Sequence, residues 1–122
     1  ESAMVGQTMK WNEVPWDDFH PQVSRKVLMG ERFMMVMYRF DKGLIWPPER
    51  HEAEQGGYIL SGKVKSTIEG SVNLLKAGDS YMIASNALHV SEFLEETILI
   101  DVFSPPRKYL LEEGKGFAPD RV

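Results

Sequence analysis

The chain contains no cysteine. Disulfide scaffolds, thiolate nucleophiles and cysteine-ligated metals are thereby excluded, so any metal must be held by histidine, carboxylate or amide groups. A cysteine-free chain fits a reducing cytosol, and a cytoplasmic location is expected. A basic excess is also missing: 14 Lys and Arg against 18 Asp and Glu leave a formal charge of −4. Nothing in that balance neutralises phosphates, so no nucleic-acid partner is expected. No apolar run approaches the ~18 residues of a membrane span, and no basic-then-apolar segment opens the chain. No membrane partner is expected either. Internal repeats, low-complexity tracts and linkers are absent.

What remains is 122 residues with 43% hydrophobic and 26% charged content, the composition of one ordinary globular domain. Glu1-Ser2-Ala3 reads as a leftover expression scar before Met4. Residues 4–24 are expected to pack as an N-terminal segment on the domain or on a partner, and 25–122 to form the domain with its C-terminal tail. Short apolar stretches rich in Val, Ile, Tyr and Phe alternate with Gly and Pro punctuation, the pattern of an all-β sandwich or barrel. Strands are expected at Arg25–Met29, Phe33–Phe40, Gly57–Ser61, Lys63–Ile68, Ser71–Leu75, Ser80–Ile83, Val90–Phe93 and Thr97–Phe103. Helical turns are expected only near Pro15–Phe19 and Arg107–Glu113.

Two of these strands are apolar on both faces. In Phe33–Tyr38, Phe33, Met35 and Met37 alternate with Met34, Val36 and Tyr38. In Thr97–Phe103, Ile98, Ile100 and Val102 alternate with Leu99, Asp101 and Phe103. A closed barrel covers one face. A second subunit or the N-terminal segment would cover the other, and a homodimer is expected on that ground. Two-layer core packing is the plainer alternative. Met29, Met34, Met35, Met37 and Met82 read as gap-filling core. Trp11, Trp16 and Phe19 read as pins for the N-terminal segment, His20 as a surface residue, and Trp46 as core or a wall of the site.

Two stretches carry chemistry. Gly43, Glu49, His51, Gln55 and Gly62 follow the spacing G-x5-E-x-H-x3-Q-x6-G. Gly78, Ala84, Asn86, His89 and Phe93 form a second series. Together they resemble the two cupin motifs, G-x5-H-x-H-x3/4-E-x6-G and G-x5-P-x-G-x2-H-x3-N, across roughly residues 25–107. The resemblance implies an all-β double-stranded β-helix, a jelly-roll barrel, with a metal site inside. Its metal ligands would be Glu49, His51, Gln55 and His89. The residues suit that role: Glu49, His51 and Gln55 share a parity on extended backbone, and His89 would arrive from a distant strand. Two imidazoles and a carboxylate suit a divalent ion, with Fe, Zn, Mn, Ni and Co all acceptable. Glu49 replaces the usual cupin histidine, adds a negative charge and favours harder metals. A solvated charge is its plainer reading. Glu52 and Glu54 read as rim charges.

A narrower resemblance lies in the blocks Arg25–Glu31, Gly57–Gly62, Leu75–Tyr81 and Asp101–Arg107. They are similar to the KdgF family of pectin-degradation cupins, which converts 4,5-unsaturated monouronates to linear ketonised sugar acids. Glutamine completes that family's metal site, as Gln55 would here. Its pocket residues carry over to Asp101, Phe103 and Arg107. A carboxylate in the apolar run 98–103 is costly unless bonded, paired or solvated, which suits an acid–base role. The alternative puts the odd face in solvent and makes Ile98, Ile100 and Val102 the core. Phe103 would stack on a sugar ring or fill the core. Arg107 would fork onto a uronate carboxylate or be solvated.

The expected activity is metal-dependent tautomerisation or ring opening of an unsaturated or keto sugar acid, with Asp101 moving the proton. Two alternatives stand beside it. One is an Fe(II)-dependent oxygenase of the cupin type. The other is a non-enzymatic ligand-binding cupin with a degenerate site.

Overall fold

The computed structural model describes residues 5–111. Ten strands carry most of them: β1 (Asp17–His20), β2 (Val23–Met29), β3 (Met34–Phe40), β4 (Ile45–Glu49), β5 (Glu54–Ser61), β6 (Lys63–Ile68), β7 (Ser71–Lys76), β8 (Ser80–Ile83), β9 (His89–Phe93) and β10 (Thr97–Ser104). A 3-10 turn, Trp11–Glu13, precedes them, and another, Lys108–Leu111, follows. Every strand pairing is antiparallel. One sheet has the order β1-β2-β3-β10-β5-β8 and the other β4-β9-β6-β7. Late strands are threaded between early ones, and the two sheets form a jelly roll.

Alternation decides what lies inside. Along β3, Met34, Val36, Tyr38 and Phe40 are buried, while Met35, Met37 and Arg39 are half-buried on the outer face. Along β10, Thr97, Leu99, Asp101 and Phe103 point inward and Ile98, Ile100 and Val102 outward. The alternative with Ile98, Ile100 and Val102 as core is therefore overturned. Register is the reason: Asp101 sits between Val36 of β3 and Gly57 of β5. Interior side chains grade from apolar to polar along both sheets, Leu99 to Asp101 on β10 and Phe93 to His89 on β9. The apolar end is aromatic. Phe40 stacks on Phe93 at 4.0 Å between centroids, and Trp46 meets Phe40 edge-on at 5.8 Å.

Several expectations change. The Pro15–Phe19 stretch contributes to a strand, not a helical turn: β1 pairs with β2 at Asp17↔Arg25. Residues 45–49, not among the expected strands, form β4 despite Pro47-Pro48. β4 is an edge strand with a register shift between Trp46 and Glu49, where missing N–H donors do least harm. Met82 is 68% exposed because its neighbour Ile83 takes the interior position. Phe33 precedes β3 and is also exposed. His20 is half-buried, its Nδ1 accepting the Gln22 N–H at 3.1 Å. The C-terminal turn falls on Lys108–Leu111, and residues 112–113 lie outside the described residues.

Two buried cations tie the ends down. Lys26 Nζ donates to the Trp11 carbonyl at 2.6 Å and lies 4.5 Å from the Trp16 ring centroid. Arg25 covers the Phe19 ring at 4.0 Å and donates to the Leu110 carbonyl at 2.6 Å. The second contact holds the segment that follows Arg107 against the sheet.

A candidate metal centre at the polar end of the barrel

Glu49 ends β4 and faces His89, the first residue of β9, across an antiparallel pair. His51 follows in the β4–β5 loop, and Gln55 lies on β5. All four residues expected as ligands are buried, Glu49 to 3% exposure. A solvated Glu49 is thereby ruled out. Glu49 Oε1 stands 3.6 Å from His51 Nε2 and 3.6 Å from His89 Nε2. The two imidazoles meet edge-on, 4.9 Å between centroids. Gln55 Oε1 lies 3.1 Å from His51 Nε2.

Backbone carbonyls aim both rings. His51 Nδ1 lies 2.7 Å from the Ala53 carbonyl and His89 Nδ1 2.9 Å from that of Ala87. A carbonyl only accepts, so each Nδ1 carries a proton and each ring turns its Nε2 toward Glu49. Burial, and next the positive charge of Arg107, hold His51 below its usual range, which keeps it neutral. Burial pushes the Glu49 carboxyl up, but His89, Arg107 and His51 together outweigh it, and Glu49 titrates below its usual range. The loop before His89 is held by Asn86, whose N–H donates to the His51 carbonyl at 2.7 Å. Asn86 occupies the glycine place of the second motif with φ +63°, a conformation asparagine tolerates better than most residues.

The donor set fits a cation. Glu49 Oε2 and His89 Nε2 are buried with no hydrogen-bond partner. Gln55 also bonds Asp101, and its oxygen is turned toward His51 Nε2. Buried oxygen and nitrogen atoms that converge without partners are what a divalent ion satisfies.

The other three expected residues lie beside this cluster. Asp101 is buried, and burial lifts its carboxyl to about 6 against the pull of hydrogen bonds from Tyr81 and Gln55. Phe103 packs edge-on against His51 at 5.9 Å, under the Arg107 guanidinium at 5.0 Å. Arg107 is buried, not solvated: its Nη1 lies 3.5 Å from Glu49 Oε1 and its Nε donates to the Tyr109 hydroxyl at 2.6 Å. Its Nη2 is buried without a partner. A cavity of about 40 Å³, room for roughly three waters, is walled by Trp46, Glu49, Gln55, His89, Asp101 and Phe103 among others.

Sequence reasoning missed two cavity tyrosines. Tyr38 and Tyr81 both line it, and Tyr81 donates to Asp101 Oδ1 at 2.5 Å. The available signal was Gly56-Gly57 inside a strand, which marks close approach of another group.

The cupin domain family matches residues 36–103. The pectin degradation protein KdgF of Dickeya dadantii is 38% identical over 99 residues, covering 79% of this chain and 90% of that protein. The chain belongs to the KdgF family of cupins. A solved KdgF from a Halomonas species superposes with TM-score 0.82 at 31% identity, over 88% of this chain and all of that one. An RmlC-like cupin from Shewanella frigidimarina superposes at 0.77 with 27% identity, over 91% and 96% of the two chains. Against the cupin motifs, this KdgF-family chain keeps the paired imidazoles and replaces the first histidine with Glu49.

Proposed function

We propose that this KdgF-family cupin is a cytoplasmic enzyme that promotes ring opening and ketonisation of a 4,5-unsaturated monouronate. The observation that carries the reading is the buried acid, Asp101, lifted to about 6 beside the buried Glu49–His51–His89 cluster and a guanidinium with a free N–H. Glu49, His51, Gln55 and His89 would hold a divalent ion. When bound, it supplies a Lewis acid that polarises a substrate oxygen.

The chain's own residues supply the rest. Asp101 lines the buried cavity and exchanges a proton near neutral pH, where a carboxyl of ordinary acidity is too weak a base. Tyr81 and Gln55 hold that carboxyl from two sides. Arg107 presents Nη2 to the substrate carboxylate while Nη1 stays on Glu49. Phe103 forms an apolar wall that keeps water from the sugar ring. In this reading two copies pair through the outer face of the six-stranded sheet.

The test is the decay of freshly made 4,5-unsaturated monouronate with metal-loaded protein. Acceleration that is lost on chelation and restored by metal is the expected result. An unchanged decay rate at stoichiometric metal sinks the reading. A second reading, an Fe(II) oxygenase, is favoured by one observation, the two-imidazole, one-carboxylate cluster. Activity retained without oxygen argues against it. A degenerate binding site would show no turnover and no thermal shift with metals.

A further inference from the structure

Gly57 lies on β5 between two cross-strand partners, Tyr81 on β8 and Asp101 on β10. A Cβ on Gly57 would fall 2.2 Å from Tyr81 Cζ and 2.5 Å from its hydroxyl oxygen. The tyrosine ring therefore occupies the space a side chain at 57 would fill. From there its hydroxyl reaches over one strand to Asp101 Oδ1 at 2.5 Å. Gly56 is different: a Cβ there meets only the flexible end of Met82, at 3.2 Å.

We propose that Tyr81, seated on Gly57, is a positioning residue that fixes the Asp101 carboxyl in its working orientation. This rests on the acid–base role given to Asp101 above. A buried phenol needs an acceptor, and a backbone carbonyl would serve at little cost. Burying a carboxylate merely to satisfy a phenol costs several times more. The need therefore runs from Asp101 to Tyr81. The glycine makes the same point, since it weakens a strand interior unless another group must approach.

Tyr81→Phe keeps the ring and removes the hydroxyl. With metal-loaded protein and 4,5-unsaturated monouronate, kcat should fall about 10-fold or more while KM stays within about twofold. Gly57→Ala, which displaces the ring, should give the same split. Wild-type kcat in Tyr81→Phe, or a loss confined to KM, overturns the proposal. A second readout needs no turnover. In metal-free protein, the ¹³C carboxyl resonance of Asp101 should move in both variants while their circular dichroism matches wild type. An unmoved resonance overturns the positioning role even if the uronate reading holds. If wild type does not turn over but the resonance moves, the positioning stands and the uronate reading falls.

Discussion

Asp101 gives the barrel interior a pH-dependent weakness. Burial raises its folded-state pKa from 3.8 to about 6, so the folded chain holds that proton more tightly than the unfolded chain. The stabilisation is complete below the unfolded value and is lost as pH rises through about 6. At neutral pH the ionised form costs about 3 kcal/mol. Asp101→Asn should therefore be more stable than wild type at pH 7, and by less at pH 4, in chelated protein. Thermal unfolding across that range checks it, and a pH-independent difference rules it out. Glu49 has the opposite character, a buried anion between two imidazoles and Arg107. Glu49→Gln leaves Arg107 without its carboxylate and should destabilise metal-free protein by about 3 kcal/mol, read by urea unfolding. Affinity for Mn²⁺, read by calorimetry, should fall as well. The clustering of Glu49, His51, Gln55 and His89 was legible because they fall in two short motifs. The Arg107–Glu49 contact and the reach of Tyr81 were not, because they join residues 58 and 20 apart and exist only once the strands are ordered.

Strand alternation exposed most of the elements, and it failed for reasons visible in each case. β4 carries two prolines, so pattern reading rejects it, yet an edge position with a register shift accommodates them. β1 has four residues, too few for a period. β10 was found, but its inward face was ambiguous, since both faces are apolar apart from one carboxylate. Only pairing with Gly57 and Val36 decides it. The β5–β6 turn offers an element-scale prediction. Gly62 has φ +99°, and a Cβ there would sit 2.4 Å from the Glu96 carbonyl oxygen. Gly62→Ala should cost roughly 3 kcal/mol, strain and overpacking together. Denaturant unfolding checks this, and a loss below about 0.5 kcal/mol would contradict it.

For the whole molecule, the outer face of the six-stranded sheet matters as much as the interior. Met37, Ile100 and Tyr58 form one row across it, and Leu28, Met35 and Val102 the next. Pairing of two copies through these rows predicts twice the chain mass by light scattering at micromolar concentration, halved by Ile100→Lys. A monomeric wild-type mass refutes it. The interior carries a different whole-molecule consequence. Glu49 and His89 belong to the four-stranded sheet, Gln55 to the six-stranded sheet, and His51 to the loop between. An ion held by all four would be a reversible staple between the two halves of the barrel. In a chain with no cysteine, this is the place where chemistry can cross-link distant segments, and it would open and close with metal supply instead of redox state.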